Sequence, residues 1–261
     1  MIARTSEIAV LTDYAQKVLD LKGGELSDEY YYASLPLCVI DAVWSIGIRY
    51  PMVQKVVKCY SNWAKLPRFR GDRAQIPAIE DQDSITEFCK RLGSNPSDED
   101  LAVSVFCSRH LTSTTNGILK ATAVKTFAGV LRRHGIDYFQ DMTRITLDQE
   151  KAVLTDIQSI PGQKSGISWL YFRMLAGTDD LVKPDRMILR FTESAIGDKT
   201  LPEEASVMVK GAAKSLQPRY PHLTPRLLDY LIWKYQSDKS KAEIALNRTT
   251  DKNLQRGGSG S

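Results

Sequence analysis

Through most of the chain apolar residues recur every three or four positions, the spacing of one face of an α-helix. Residues 6–22 set Ile8, Leu11, Ala15, Val18 and Leu19 on one stripe, closed by Gly23-Gly24. Residues 35–46 are almost wholly apolar, with Pro36 near their start and Gly47 at their end; a second helix is expected over 52–63. A basic, Pro-containing loop follows at 67–80, then short helices at 83–92 and 98–107 and a long one over 116–133, with Val124, Phe127, Ala128 and Leu131 inward. Thr146 followed three residues later by Gln149 reads as a capping box. The helix it opens carries Val153, Leu154, Ile157 and Ile160 into a break at Ile160-Pro161-Gly162. Another helix places Ile167, Leu170, Tyr171 and Met174 on one face and stops at Gly177. A third opens at Pro184, with Asp185 in its first turn, because Pro suits the first helical position. Further helices are expected near 201–215 and 225–237, the latter with Thr224 as N-cap. No segment alternates with period two, so the expected fold class is all-α.

Composition narrows the function classes. With 43% apolar and 25% charged residues over 261 positions, the chain is long enough for one large domain or two small ones. No apolar run is long enough to span a bilayer and no secretory apolar segment opens the chain, so no membrane role and a cytoplasmic location are expected. Net charge is only +4, but seven Lys or Arg face one acid between Val43 and Ile79, and five face none between Leu101 and Ile136. Such clustering fits a polyanion-facing surface, or a solvated face whose acidic partners lie elsewhere. Cys38, Cys59, Cys89 and Cys107 are too scattered for an iron–sulfur or zinc site and read as small buried hydrophobes. His110, His134 and His222 suggest neither a triad nor a metal.

The stretch from Thr155 to Phe191 carries the chemistry. A glycine-containing hairpin between helices leaves N–H groups free at the start of the second helix, a ready site for phosphate. About twenty residues on, Asp185 at a helix N-terminus is a carboxylate favoured in its ionised form by the helix dipole.

Ile160-Pro161-Gly162, the helix from Ser165 to Ala176, and Lys183-Pro184-Asp185-Arg186 together resemble the helix-hairpin-helix–Gly/Pro/Asp superfamily of base-excision DNA glycosylases, the family of endonuclease III and the alkyladenine glycosylases. Residues 35–60 resemble that family's first core helices, and the likeness covers about 30–236. The hairpin's usual second Gly is Lys164 here. The resemblance implies two helical lobes flanking a DNA-binding cleft. Residues 35–176 would form a six-helix lobe ending in the hairpin. Residues 1–34 and 177–261 would form the second, with 257–261 an appended linker.

Roles follow by the same resemblance. Asp185 is the expected catalytic residue. Pro161, Gly162, Lys164, Gly166, Ser168 and Arg186 would contact DNA, assisted by the basic residues of 49–73 and 120–133. Ile48, Arg49 or Tyr50 would fill the gap left by an extruded nucleotide. Trp44, Trp169, Tyr171, Tyr31 and Asp41 are candidates to line the base pocket. No cofactor or metal is implied beyond a structural monovalent cation at the hairpin. The nucleophilic lysine of bifunctional relatives falls at Gly166, so the expected enzyme is a monofunctional, monomeric glycosylase acting on double-stranded DNA. Its substrate would be an alkylated base or a bulky hypermodified base of bacteriophage type, the latter implying antiviral defence rather than repair. Two other readings stand beside it: a non-catalytic hairpin clamp on DNA, and a helical protein–protein adaptor.

Overall fold

The computed structural model describes residues 5–240, and over that span the protein is helical, with only two isolated β-bridges, Tyr32↔Phe69 and Leu111↔Leu119. The fold class is all-α. The helices are α1 (Thr5–Val18), α2 (Leu35–Trp44), α3 (Tyr50–Ala64), α4 (Ile85–Gly93), a single turn α5 (Asp98–Asp100), α6 (Lys120–Arg133), the short α7 (Phe139–Met142), α8 (Leu147–Gln158), α9 (Ile167–Leu175), α10 (Arg186–Ile196) and α11 (Pro202–Leu216). A final helix, α12, starts at 225 and is helical through 240. The tail segment from 241, with its Gly-Ser end, lies outside the described residues.

The chain divides into two compact units. One is Leu26–Thr178; the other joins the residues up to Glu25 to those from Asp179 on. The first division falls at 25/26 because the segment before α2 is tied to the 67–70 loop. Ala33 N–H donates to Arg68 O (3.1 Å) and Arg70 N–H to Tyr31 O (2.9 Å), on either side of the Tyr32↔Phe69 bridge.

Within the unit Leu26–Thr178, every residue of α2 is buried. A helix apolar all round must be covered on all sides, and α3, α6 and α9 do so. Within the other unit α1 packs on α10 and α11, and these two on each other. Gly211 of α11 allows the close approach: a Cβ there would lie 2.8 Å from Ile8 of α1. Phe191 of α10 sits between Tyr14 and Tyr235, at centroid distances of 5.1 and 5.9 Å.

Some expectations need correcting. The long helix starts at Lys120, not 116, because 110–120 closes into a turn: Thr112 N–H donates to Ile118 O and Lys120 N–H to His110 O, both at 2.8 Å. After α5 the backbone widens into a π-helix, Leu101–Val105, with Phe106 N–H reaching back to Leu101 O. Thr146 does cap α8, accepting from Gln149 N–H at 3.2 Å, but the capping box stays half made. The Gln149 amide donates instead to His134 O at 2.7 Å. Of the four cysteines only Cys38 is buried; Cys59 and Cys89 are half-buried, and Cys107 is exposed with φ 51°.

Candidate nucleic-acid interface and carboxylate site

The turn between α8 and α9 is built by glycine. Gly162 and Gly166 have φ of 84° and 73°, in the left-handed region that costs other residues about 1–2 kcal/mol. Gly162 is doubly constrained, since a Cβ there would lie 2.4 Å from Thr112 Cβ. Hydrogen bonds from Gln163 N–H to Ile160 O and from Gly166 N–H to Gln163 O, both 2.9 Å, close the turn. Among the described residues no hydrogen bond engages the N–H of Gly162 or Lys164, while Gln158 Nε2 donates to Lys164 O at 3.1 Å. Pro161, Gly162, Lys164 and Ser165 are exposed. Gly166 and Ser168 are buried, and the Ser168 hydroxyl and both amide atoms of Gln163 have no hydrogen-bond partner. A surface turn with unspent N–H groups can take an anion through its backbone.

Asp185 is the N-cap of α10 rather than a residue of its first turn, with extended backbone (φ −85°, ψ −178°). Oδ1 accepts from Met187 N–H (2.8 Å) and Ile188 N–H (3.3 Å), and Oδ2 lies 3.5 Å from Lys183 Nζ. Pro184 therefore precedes the cap instead of opening the helix. The segment leading to Asp185 is fastened to α12 at two points. Arg226 pairs with Asp179 at 2.7 Å, and the fully buried Asp229 accepts from Lys183 N–H at 2.7 Å. Burial pushes the Asp229 carboxyl up to about 8, Lys183 pulling it down and Asp185 adding to the rise. Arg186 is exposed beside the cap.

Of the expected pocket residues, the structure gathers Asp41 and Tyr171, and it adds Tyr50, expected instead in the loop that fills the gap of an extruded nucleotide. Asp41 is fully buried and accepts from Tyr32 Oη (2.8 Å), Ser45 Oγ (2.7 Å) and Tyr50 Oη (3.1 Å). Burial, and then the Asp41 charge, push the phenols of Tyr32, Tyr50 and Tyr171 well above the usual range. A buried carboxylate is tolerable when so many donors face it. Trp44 is elsewhere in the core, wholly buried, its Nε1 donating to Ser108 Oγ at 3.2 Å. Trp169 is also buried, stacked on Phe172 at 5.5 Å, with Nε1 lacking a partner. Tyr31 is half-buried beneath the Arg73 guanidinium, 5.1 Å from its ring centre. In the turn before α3, Arg49 is exposed, Ile48 half-buried, and Tyr50 held to Asp41.

Two residues were missed in the sequence. Ser45 caps the end of α2 and, with Tyr32 of the Tyr30-Tyr31-Tyr32 run, holds Asp41; its signal was its spacing of four residues from Asp41. Asp229 lies in the helix expected at 225–237 without marking itself. Lys120 corrects the expectation that 120–133 faces DNA throughout: it is 1% exposed, and its Nζ donates to Val43 O and Ile46 O at 2.8 Å, closing the end of α2. Burial pushes its pKa down to about 8.

These are the features of an all-helical chain with a glycine hairpin in one unit and a capping carboxylate in the other. The chain belongs to the family described as a domain of unknown function (DUF8548), whose model matches residues 9–237. No curated protein and no solved structure matches it. Among the described residues no group of His, Cys, Asp and Glu could hold a metal ion, and no helix is long and apolar enough to cross a membrane.

Proposed function

We propose that this protein is a DNA glycosylase of the helix-hairpin-helix–Gly/Pro/Asp type, which extrudes a damaged or modified base and hydrolyses its N-glycosidic bond. The observation that carries the reading is the hairpin itself: two left-handed glycines and unengaged N–H groups at Gly162 and Lys164, with Asp185 capping the next helix. The hairpin takes the phosphate backbone. Asp185, its Oδ2 outside the cap, stabilises oxocarbenium character at C1′ while water attacks. Gly166 stands where a lysine nucleophile would be, so the product is an intact abasic strand.

One observation favours the second reading, a non-catalytic clamp: both Asp185 oxygens already have structural work, Oδ1 in the cap and Oδ2 beside Lys183. Mass spectrometry of free bases released from alkylated, oxidised and hypermodified duplexes separates the two. The glycosylase releases a base that Asp185→Asn does not; release by neither protein from any duplex leaves the clamp.

A further inference from the structure

The turn from Arg68 to Arg70 and the exposed side of α3 enclose an open cavity of about 410 Å³, lined by Asp28, Glu29, Gln54, Lys55, Lys58 and Arg68 together with Pro51 and Phe69. Its charges are unequal in their freedom. Asp28 is paired with Arg73, and Glu29, 8% exposed, accepts from Gln54 Nε2. Lys55, Lys58 and Arg68 have no carboxylate within ion-pair distance among the described residues. Other cations of the same unit do find carboxylates: Lys90 pairs with Glu87, Arg91 with Asp83, Arg109 with Glu99, Lys125 with Asp98 and Arg173 with Glu150.

Arg68 is also built into place. Its guanidinium lies over the Phe69 ring at 4.6 Å, and Phe69 stacks on Tyr32 at 5.7 Å and 15°. Tyr32, 1% exposed, is pinned by its hydrogen bond to Asp41, and Arg68 O is held by Ala33 N–H. A guanidinium fixed by stacking loses little freedom on binding a phosphate oxygen, and its planar fork suits one. Lys55 and Lys58 are i,i+3 neighbours on one helix face.

The cations continue past the cavity. Arg49 precedes α3, Lys65 follows it with φ 56°, both are exposed and without a carboxylate partner, and α3 contains no acidic residue. A free nucleotide needs one cluster; a row along a helix about 22 Å long matches a strand with phosphates in series. We infer that the cavity between α3 and the Arg68–Arg70 turn is a second phosphate-binding site, separate from the hairpin, that Lys55, Lys58 and Arg68 use to hold the backbone of a DNA strand. The identity of the polyanion rests on the proposed function; the site itself rests on the charges and the stack.

The test is fluorescence-anisotropy binding of a 20-base-pair duplex by the full chain between 50 and 200 mM salt, for wild type, Lys55→Ala/Lys58→Ala/Arg68→Ala, and Phe69→Leu. The triple variant should bind at least about tenfold more weakly at 50 mM, with a log–log salt slope shallower by about 2 to 3, since each lost phosphate contact removes about 0.9. Phe69→Leu, which keeps the burial and removes the stack, should weaken binding in the same direction. Lys55→Glu/Lys58→Glu, confined to exposed positions, repeats the test should the triple variant not fold. Unchanged affinity and slope overturn the inference. So does loss of pyrophosphate or deoxynucleoside monophosphate binding, or of binding to vesicles rich in phosphatidylserine, with duplex affinity intact. If the slope falls while no DNA releases a base, the glycosylase reading fails and the site stands. If Asp185-dependent release persists with an unchanged slope, the site alone fails.

Discussion

Asp229 and Lys120 are buried ionisable residues whose effects on stability have opposite signs. The folded-state pKa of Asp229 is raised to about 8, so between about pH 4 and pH 8 the folded chain keeps a proton that the unfolded chain has released. Its stabilising contribution is whole below that window and is lost as pH rises through it, at no more than about 1.4 kcal/mol per pH unit. Urea unfolding of wild type and Asp229→Asn at pH 5, 6, 7 and 8 should show wild type losing ground to the variant at each step. Parallel curves would mean that the carboxyl ionises as it does in water. Lys120, lowered to about 8, runs the other way: the unfolded chain holds the extra proton up to about pH 10.5, so stability rises across that range. Lys120→Met removes the buried charge but strands the carbonyls of Val43 and Ile46, each worth about 1–3 kcal/mol when left without a donor. A net loss of stability at pH 7 is expected, read as a lower urea midpoint. Neither residue could be picked out from the sequence, because burial of a charged side chain is decided by elements far along the chain. Asp41 was different. A carboxylate inside an apolar helix is conspicuous, but its partners Tyr32 and Tyr50 each lie nine residues away, on opposite sides, and no local pattern points to them.

Helices announce themselves through periodicity and caps, and the chain follows those signals closely at Thr146, Thr224 and the Gly177 stop. The signals failed where hydrogen bonding leaves the α pattern. The Leu101–Val105 π-helix has ordinary apolar spacing, and nothing local sets apart the 110–120 turn, whose closure depends on bonds across it. Hairpin glycines were legible as breaks; which of them is irreplaceable was not. Gly162 and Gly47 both have positive φ, but a Cβ at Gly47 meets nothing within 4 Å whereas one at Gly162 collides with Thr112. Gly47→Ala should therefore cost only the left-handed penalty, about 1–2 kcal/mol, and Gly162→Ala distinctly more, with duplex affinity falling alongside. Equal midpoints for the two variants would contradict the close approach. Lys164→Glu, on the exposed turn, should leave stability unchanged and weaken binding to every duplex sequence alike, because a phosphate contact carries no sequence information.

At the scale of the whole chain, the hairpin belongs to the unit Leu26–Thr178 and Asp185 to the other. An excised fragment covering 26–178 should thus keep salt-sensitive duplex affinity and release no base, which fragment binding and base-release assays would check together. Base release by the fragment would place the chemistry away from Asp185. The sequence made both halves of that motif visible, since glycine and capping preferences are local, while the tyrosine cluster and the Arg226–Asp179 tether come from packing that no local pattern records. The split also imposes an order on synthesis. Helix α1 leaves the ribosome before the interrupting unit, yet its partners α10 and α11 begin at Arg186 and Pro202, after that entire unit. At about 5–20 residues per second the newborn α1, with Leu11 and Ala15 uncovered, waits roughly ten to forty seconds for the helices that will bury them. The interrupting unit has all its residues from Thr178 on and can close in that interval. These two units are thus completed from the middle outward, and α1 is among the last of their helices to find its place.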